Sequence, residues 1–210
     1  MNTLIIYANY KDHSLNFEIK NILADTLHNN GHEVVVRDLY DIHFNPVLNK
    51  KDLQSIDQQV FPVDIMEEQQ YIKRAELICF VYPIWWSGMP AILKGYIERV
   101  FLEGFAFEFK DSKPVPLLNN KKVILFNTTG SRIVFSSDDE RKALDLITEK
   151  SIFNFCGMEV IGHYYFDKVS LVSKEIREFC VPLCATIHLS GSIISVTSFA
   201  VAVLMMNNMD

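Results

Sequence analysis

The sequence predicts an α/β fold, a doubly wound five-stranded parallel sheet in the order 2-1-3-4-5 with helices on both faces. Three observations predict it. Apolar, β-branched runs alternate with helical stretches along the 210 residues. The best of those runs are apolar throughout rather than at every second position, as in strands buried on both faces. No internal repeat and no Gly/Ser linker interrupts the alternation, so residues 1–189 are expected to form one domain, with an apolar tail at 190–210.

The elements follow in order. Thr3 to Ala8 is the first strand. Ser14 caps a helix whose Leu15, Ile19, Ile22, Leu23 and Leu27 recur at helical spacing, and Asn29, Asn30 and Gly31 end it. His32 to Arg37 is the second strand. Asp38 to Phe61 is long and irregular, and that length suggests a functional excursion. Pro62 opens a helix running to about Arg74, and Glu76 to Tyr82 is the third strand. After the loop Pro83 to Met89, Pro90 starts a helix with Ile92, Leu93, Tyr96, Ile97, Val100 and Phe101 on one side. Lys122 to Asn127 is the fourth strand, followed by a polar loop from Thr128 to Ser137. A helix runs from Asp138 to about Phe155, a fifth strand lies within Met158 to Phe166, and a last helix starts near Ser170 or Ser173.

Composition removes several function classes. The net charge is −6 and no basic stripe appears, which argues against nucleic acid, whose binding rests on clustered Lys and Arg. Cys79 and Cys156 lie in apolar runs and read as core. Cys180, Cys184 and His188 would share a helix face, but no fourth ligand is evident, so no metal is expected. No disulfide framework and no basic, cleavable leader are seen, which points to the cytoplasm. The tail carries no charged residue between Glu178 and Asp210. Ser195, Thr197 and Ser198 interrupt its apolar run and no basic cluster flanks it, so packing on its own domain or on a second copy is favoured over membrane contact.

Three loops fall beyond the carboxyl ends of the strands, where open α/β sheets bind ligands. Asn9 to Ser14 leads into a helix N-terminus, a ready anion site, with Asn16 adding a side-chain donor. A plain helix cap fits the same residues. Neither a GxGxxG nor a GxxxxGK[ST] pattern is present. The second loop, YPIWWSGMP, places two indoles at the ligand edge. Aromatic faces and backbone N–H groups there suit a flat heteroaromatic ring, against the alternative that Trp85 and Trp86 pack an internal or dimer core. The third, Thr128–Thr129–Gly130, offers small residues and backbone donors, or is an ordinary β-α turn.

The run YPIWWSGMPAILKGYIERVFLEGFAFEF closely resembles the NAD(P)H:quinone oxidoreductase family, the flavodoxin-like reductases related to DT-diaphorase. YANYKDHSLNFEI, FNPVLNKKDL, DIMEEQQYIKRAELICFVYP, KKVILFNTTG and FCGMEVI agree in order, so the resemblance covers roughly residues 3 to 166. It implies a flavodoxin-like fold and a bound flavin. Asn9, Ser14, Leu15 and Asn16 would hold its phosphates, with Asn9 standing where the family often has histidine. Pro83, Ile84, Trp85, Trp86 and Ser87 would hold the isoalloxazine, with Trp86 at the position of the family's ring contact, and Thr128, Thr129 and Gly130 would touch its pyrimidine edge. Phe107, Glu108 and Phe109 match the segment that lines the partner subunit's substrate site.

One departure stands out. The family places a tyrosine and a histidine after this third loop. Here TTGSRIVFSSDDER has Ser131 and Arg132, Phe135 near the tyrosine's place, and no histidine. Backbone N–H groups and Arg132 are expected to offset negative charge on the ring instead. The resulting expectation is a homodimeric flavoenzyme, with FAD favoured over FMN. NADPH or NADH is the hydride donor and a quinone-like small molecule the acceptor, taking turns in a two-electron ping-pong cycle with no assigned catalytic side chain. A flavin-binding regulatory subunit of a potassium-efflux system and a one-electron flavodoxin-like carrier are the alternatives.

Overall fold

A computed structural model describes residues 1–57, 60–130 and 138–166. The last predicted helix, the Cys180–Cys184–His188 face, Ser131, Arg132, Phe135 and the tail at 190–210 lie outside the described residues. Strand β1 (Asn2–Tyr7) leads to helix α1 (Leu15–Asn29) and strand β2 (Glu33–Asp38). Helices α2 (Lys50–Asp57) and α3 (Val63–Arg74) precede β3 (Leu77–Pro83) and α4 (Ala91–Val100). Strands β4 (Phe107–Lys110) and β5 (Lys113–Pro116) follow, then β6 (Lys122–Thr128), α5 (Asp138–Asp145), a π-wound segment (Leu146–Asn154) and β7 (Glu159–Phe166).

The main sheet is parallel, five-stranded and ordered β2-β1-β3-β6-β7, the 2-1-3-4-5 order read from the sequence. Its central strands are apolar throughout because each face meets a different core. Leu4, Ile6, Phe80 and Leu125 pack with Leu93, Tyr96 and Phe153. Their neighbours Ile5, Cys79, Ile124 and Phe126 turn to the opposite face, against Leu15, Ile19 and Leu23 of α1. Burial pushes the Cys79 thiol up to about 12 and the Cys156 thiol up to about 11, so both are inert packing groups, as expected.

Three features depart from the expected elements. The first is β4–β5, an antiparallel hairpin apart from the main sheet. Its two-residue connection, Asp111–Ser112, has positive φ at both positions (50° and 60°), the twist that a tight hairpin needs. The second is α2, inside the excursion expected to be irregular. The third is the π winding of Leu146–Asn154, where a regular helix was expected.

The excursion is clamped rather than loose. Arg99 of α4, 3% exposed, donates from Nε to Asp52 Oδ2 (3.0 Å) and from one terminal nitrogen to Asp64 Oδ2 (2.7 Å) and the Asn45 carbonyl (2.9 Å). One turn earlier, Gly95 lies so close to Pro46 that a Cβ there would overlap the Pro46 carbonyl. The Lys-Gly-Tyr-Ile-Glu-Arg stretch of α4 is thus the seat on which residues 44–52 rest. Among the described residues, no helix is long and apolar enough to cross a membrane.

Candidate functional site

The three loops chosen from the sequence do meet, because the strands that carry them are neighbours. Ala8 N–H donates to the Val81 carbonyl (3.0 Å), and Ile84 N–H to the Thr128 carbonyl (2.9 Å). Thr129 N–H donates to the Phe166 carbonyl (2.9 Å). Tyr10 stacks obliquely on Trp85 (5.9 Å) and edge-on to Tyr40 (6.1 Å), so the β1, β2 and β3 loops share one aromatic wall. Neither tyrosine was among the residues singled out in the sequence.

In the first loop, Ser14 caps α1, accepting the Phe17 N–H (3.2 Å) and the Asn9 amide N–H (3.1 Å) and donating to the Lys11 carbonyl (3.1 Å). Its hydroxyl hydrogen is therefore already spent, and Asn9 acts as a brace that also accepts the Lys11 N–H (3.2 Å). The N–H groups of Leu15 and Asn16 belong to the helix's first turn, where no intrahelical acceptor exists. Asn16 is fully buried, and neither atom of its side-chain amide has a partner among the described residues. Leaving such a group unsatisfied costs about 1–3 kcal/mol, a cost carried here in the first turn of α1. Tyr7 lies just before this loop, and burial, with Asp38 and Asp12 nearby, pushes its phenol up to about 12 despite the Ser14 hydroxyl.

The second loop is built from its backbone. Trp85 and Gly88 exchange both hydrogen bonds (3.0 and 3.1 Å) around Trp86 and Ser87, whose φ angles are 51° and 57°. A bulky residue pays about 1–2 kcal/mol in that left-handed region, so the turn holds strain just beyond the carboxyl end of β3. The result is a fully exposed Trp86, at 102% of its reference area, whereas Trp85 is at 37% and leans on Tyr10. Trp86 therefore fills no internal core. In the third loop Thr128 and Thr129 are buried, and the space a Gly130 side chain would take is open among the described residues.

Phe107, Glu108 and Phe109 sit elsewhere, on β4. No described hydrogen bond or ring contact joins them to the three loops. Of the phenylalanines in GFAFEF, Phe105 and Phe107 pack on the chain's own core, Phe107 edge-on to Phe155 (5.1 Å), and Phe109 stays 54% exposed.

Sequence reading missed a polar cluster beneath the third loop. His163 of β7, its side chain 6% exposed, faces Glu149 and Asp145 with one ring nitrogen and Asn127 with the other. Strand alternation in Gly-His-Tyr-Tyr-Phe puts His163 and Tyr165 on one face of β7, but their partners Asn127, Asp145 and Glu149 are brought to that face only by the fold.

A family model described as a flavodoxin-like fold matches residues 1–179. The chain belongs to that flavodoxin-like family. An "Uncharacterized NAD(P)H oxidoreductase" of Haemophilus influenzae is 37% identical over 187 residues, covering 88% of this chain and 93% of the relative. The "NAD(P)H dehydrogenase [quinone] 1" of Rattus norvegicus is 32% identical over 179 residues, with 75% of this chain matching 65% of the rat protein. The solved structure of an NAD(P)H:quinone oxidoreductase from Methanothermobacter marburgensis superposes with a TM-score of 0.76, at 23% identity, over 88% of this flavodoxin-like chain and 95% of the other.

Proposed function

We propose that this flavodoxin-like chain is a cytoplasmic NAD(P)H-dependent flavin oxidoreductase that reduces quinones or similar small acceptors by two electrons. The observation that carries the reading is the strained turn that holds Trp86 wholly in solvent, in the loop whose Ile84 N–H is bonded to the buried Thr128. A chain gains nothing by itself from a strained, exposed indole at the ligand edge, whereas a flat ring laid there would cover it. The Asn16 amide and the first N–H groups of α1 fit the anionic end of such a ligand. A bound flavin supplies the hydride chemistry.

The chain's part is placement. Trp85, Trp86 and Ile84 would position the ring, with the backbone of Pro83–Ser87 and Thr128–Gly130 offering polar contacts at its edges. Asn9 and Ser14 brace the loop that holds the phosphates, and Leu15 and Asn16 supply donors. FAD is the favoured form, with residues 44–52 positioned by Arg99 and Gly95 as a rigid candidate cover for its adenylate. Donor and acceptor would share one face, which predicts parallel-line, ping-pong kinetics.

The purified chain is expected to be yellow with one flavin per subunit, FAD by mass spectrometry of the heat-released cofactor, and to turn over steadily with NADH or NADPH and menadione. Failure to take up either FAD or FMN would remove the reading. Bound flavin without turnover would favour the regulatory-subunit or carrier alternative.

We also propose a homodimer in which Phe109 and its neighbours reach the partner's site. Phe109, Phe155 and Leu117 are exposed at 54%, 38% and 38%, and Phe107 bridges the first two as ring contacts. An apolar group of this kind calls for a cover. Sedimentation equilibrium is expected to give a dimer and Phe109→Lys a largely monomeric, folded chain with a raised KM for the acceptor. A flavin-bound monomer with full activity would sink the proposal.

A further inference from the structure

Asn127 is the last residue of β6 before Thr128, and it is 1% exposed. Its Nδ2 donates weakly to the Tyr82 carbonyl (3.5 Å), the residue before Pro83 on β3. Its Oδ1 meets His163 Nε2 at 2.6 Å. His163 Nδ1 lies 2.8 Å from Glu149 Oε1 and 3.3 Å from Asp145 Oδ1. An ionised carboxylate and an amide oxygen only accept, so the arrangement as placed is fully satisfied when both ring nitrogens carry hydrogen.

A neutral imidazole has one N–H. The carboxylates hold it at Nδ1, which leaves the Nε2 lone pair against the Asn127 oxygen. Asn127 must then turn its amide, giving Nδ2 to the ring and losing the tie to Tyr82.

Resting on the flavin-site reading above, we propose that His163 is a positioning residue for that site. When protonated it locks Asn127 between the ends of β3 and β6, and so fixes the aromatic loop relative to the Thr128–Gly130 rim.

The groups that face the ring come from every element around it. Asp145 and Glu149 lie on the helical side, and Tyr165 stacks on the ring at 4.2 Å while donating to Asp145 Oδ1 (2.6 Å). Arg141 lies over the Tyr165 ring at 5.2 Å, and the Tyr82 phenol is buried on β3. Burial pulls His163 down from the ordinary 6.5, the Glu149 hydrogen bond and the two carboxylate charges push it back, and Arg141 pulls it down again. The net position is below 6.5, so the tie is made in mild acid and released toward neutrality.

The test uses the full chain, with FMN and FAD as probes, and measures flavin dissociation constants from about pH 5 to about pH 8. Melting temperatures are taken for each variant at each pH. One hydrogen-bonded tie is worth about threefold to tenfold in affinity. The wild-type constant, divided by that of His163→Gln, should rise by that factor through an inflection below pH 6.5. Glu149→Gln removes a charge that favours the protonated ring, leaves a folded chain because Glu149 is partly exposed, and should move the inflection to lower pH. A ratio flat across pH, or an inflection unmoved by Glu149→Gln, overturns the proposal while leaving the flavin site standing. A wild-type chain that takes up neither flavin at any pH overturns the site reading itself, and this inference with it.

Discussion

Replacing Arg99 with alanine is expected to destabilise the chain by about 3–5 kcal/mol, the usual result of stripping one partner from a buried charge cluster. Asp52 is 4% exposed and, among the described residues, would keep only the Asn49 N–H (3.3 Å) and Asn49 amide (3.1 Å) as donors to its side chain. The Asn45 carbonyl would lose a charged donor as well. Asp64 is half in water and returns to it at little cost. For a chain of this length the loss corresponds to a fall of roughly 10 °C in Tm. Because the damage comes from an orphaned charge, Arg99→Met combined with Asp52→Leu should recover part of it, as buried ion clusters replaced by apolar groups often do. Urea unfolding and calorimetry would measure both. A loss under 1 kcal/mol for Arg99→Ala, or a double variant no better than the single, would show that the excursion is not held by this clamp.

The same clamp explains why part of the fold escaped a reading of the sequence. β1 and β3 were legible because both faces of those strands are buried, and continuous apolar runs such as TLIIYA and LICFVY have few other structural meanings. Lys50–Asp57 is a helix whose polar sequence shows little apolar face, so its one clue was local. Asn49 accepts the N–H groups of Lys51 and Asp52, and Asp52 reaches back to the Asn49 N–H, a reciprocal cap at the spacing that marks helix starts. The hairpin β4–β5 was hidden by Pro114 and Pro116, which argue against a strand unless it lies at an edge, as β5 does. The loops of the candidate site were legible because two indoles framed by prolines are costly to place at a strand end without use. The His163 cluster was not, since its members come from β6, β7 and the helical segment between them, and only the fold brings them together.

Trp86→Ala is expected to weaken flavin binding by on the order of tenfold to a hundredfold, the worth of about 1–3 kcal/mol for stacking one flat heteroaromatic ring on an aromatic side chain. Trp85→Ala should cost much less. Trp85 touches Tyr10, a contact worth about 0.5–1.5 kcal/mol to the loop, and the turn is closed by the backbone of Trp85 and Gly88, which alanine preserves. Because Trp86 is wholly exposed, its removal strips no core contact, so the flavin-free melting temperature should scarcely move. Backbone strain is a competing explanation that a third variant separates. At a φ of 51°, glycine relaxes the turn where alanine does not. If the indole carries the affinity, Trp86→Gly and Trp86→Ala lose it alike, and if the strained turn carries it, glycine behaves differently from alanine. Fluorescence titration with FAD and FMN, set beside thermal melts of the flavin-free chains, decides among these. Equal and mild losses for Trp85→Ala and Trp86→Ala would instead assign both indoles to packing between subunits, and the exposed turn would no longer support a ring-binding site.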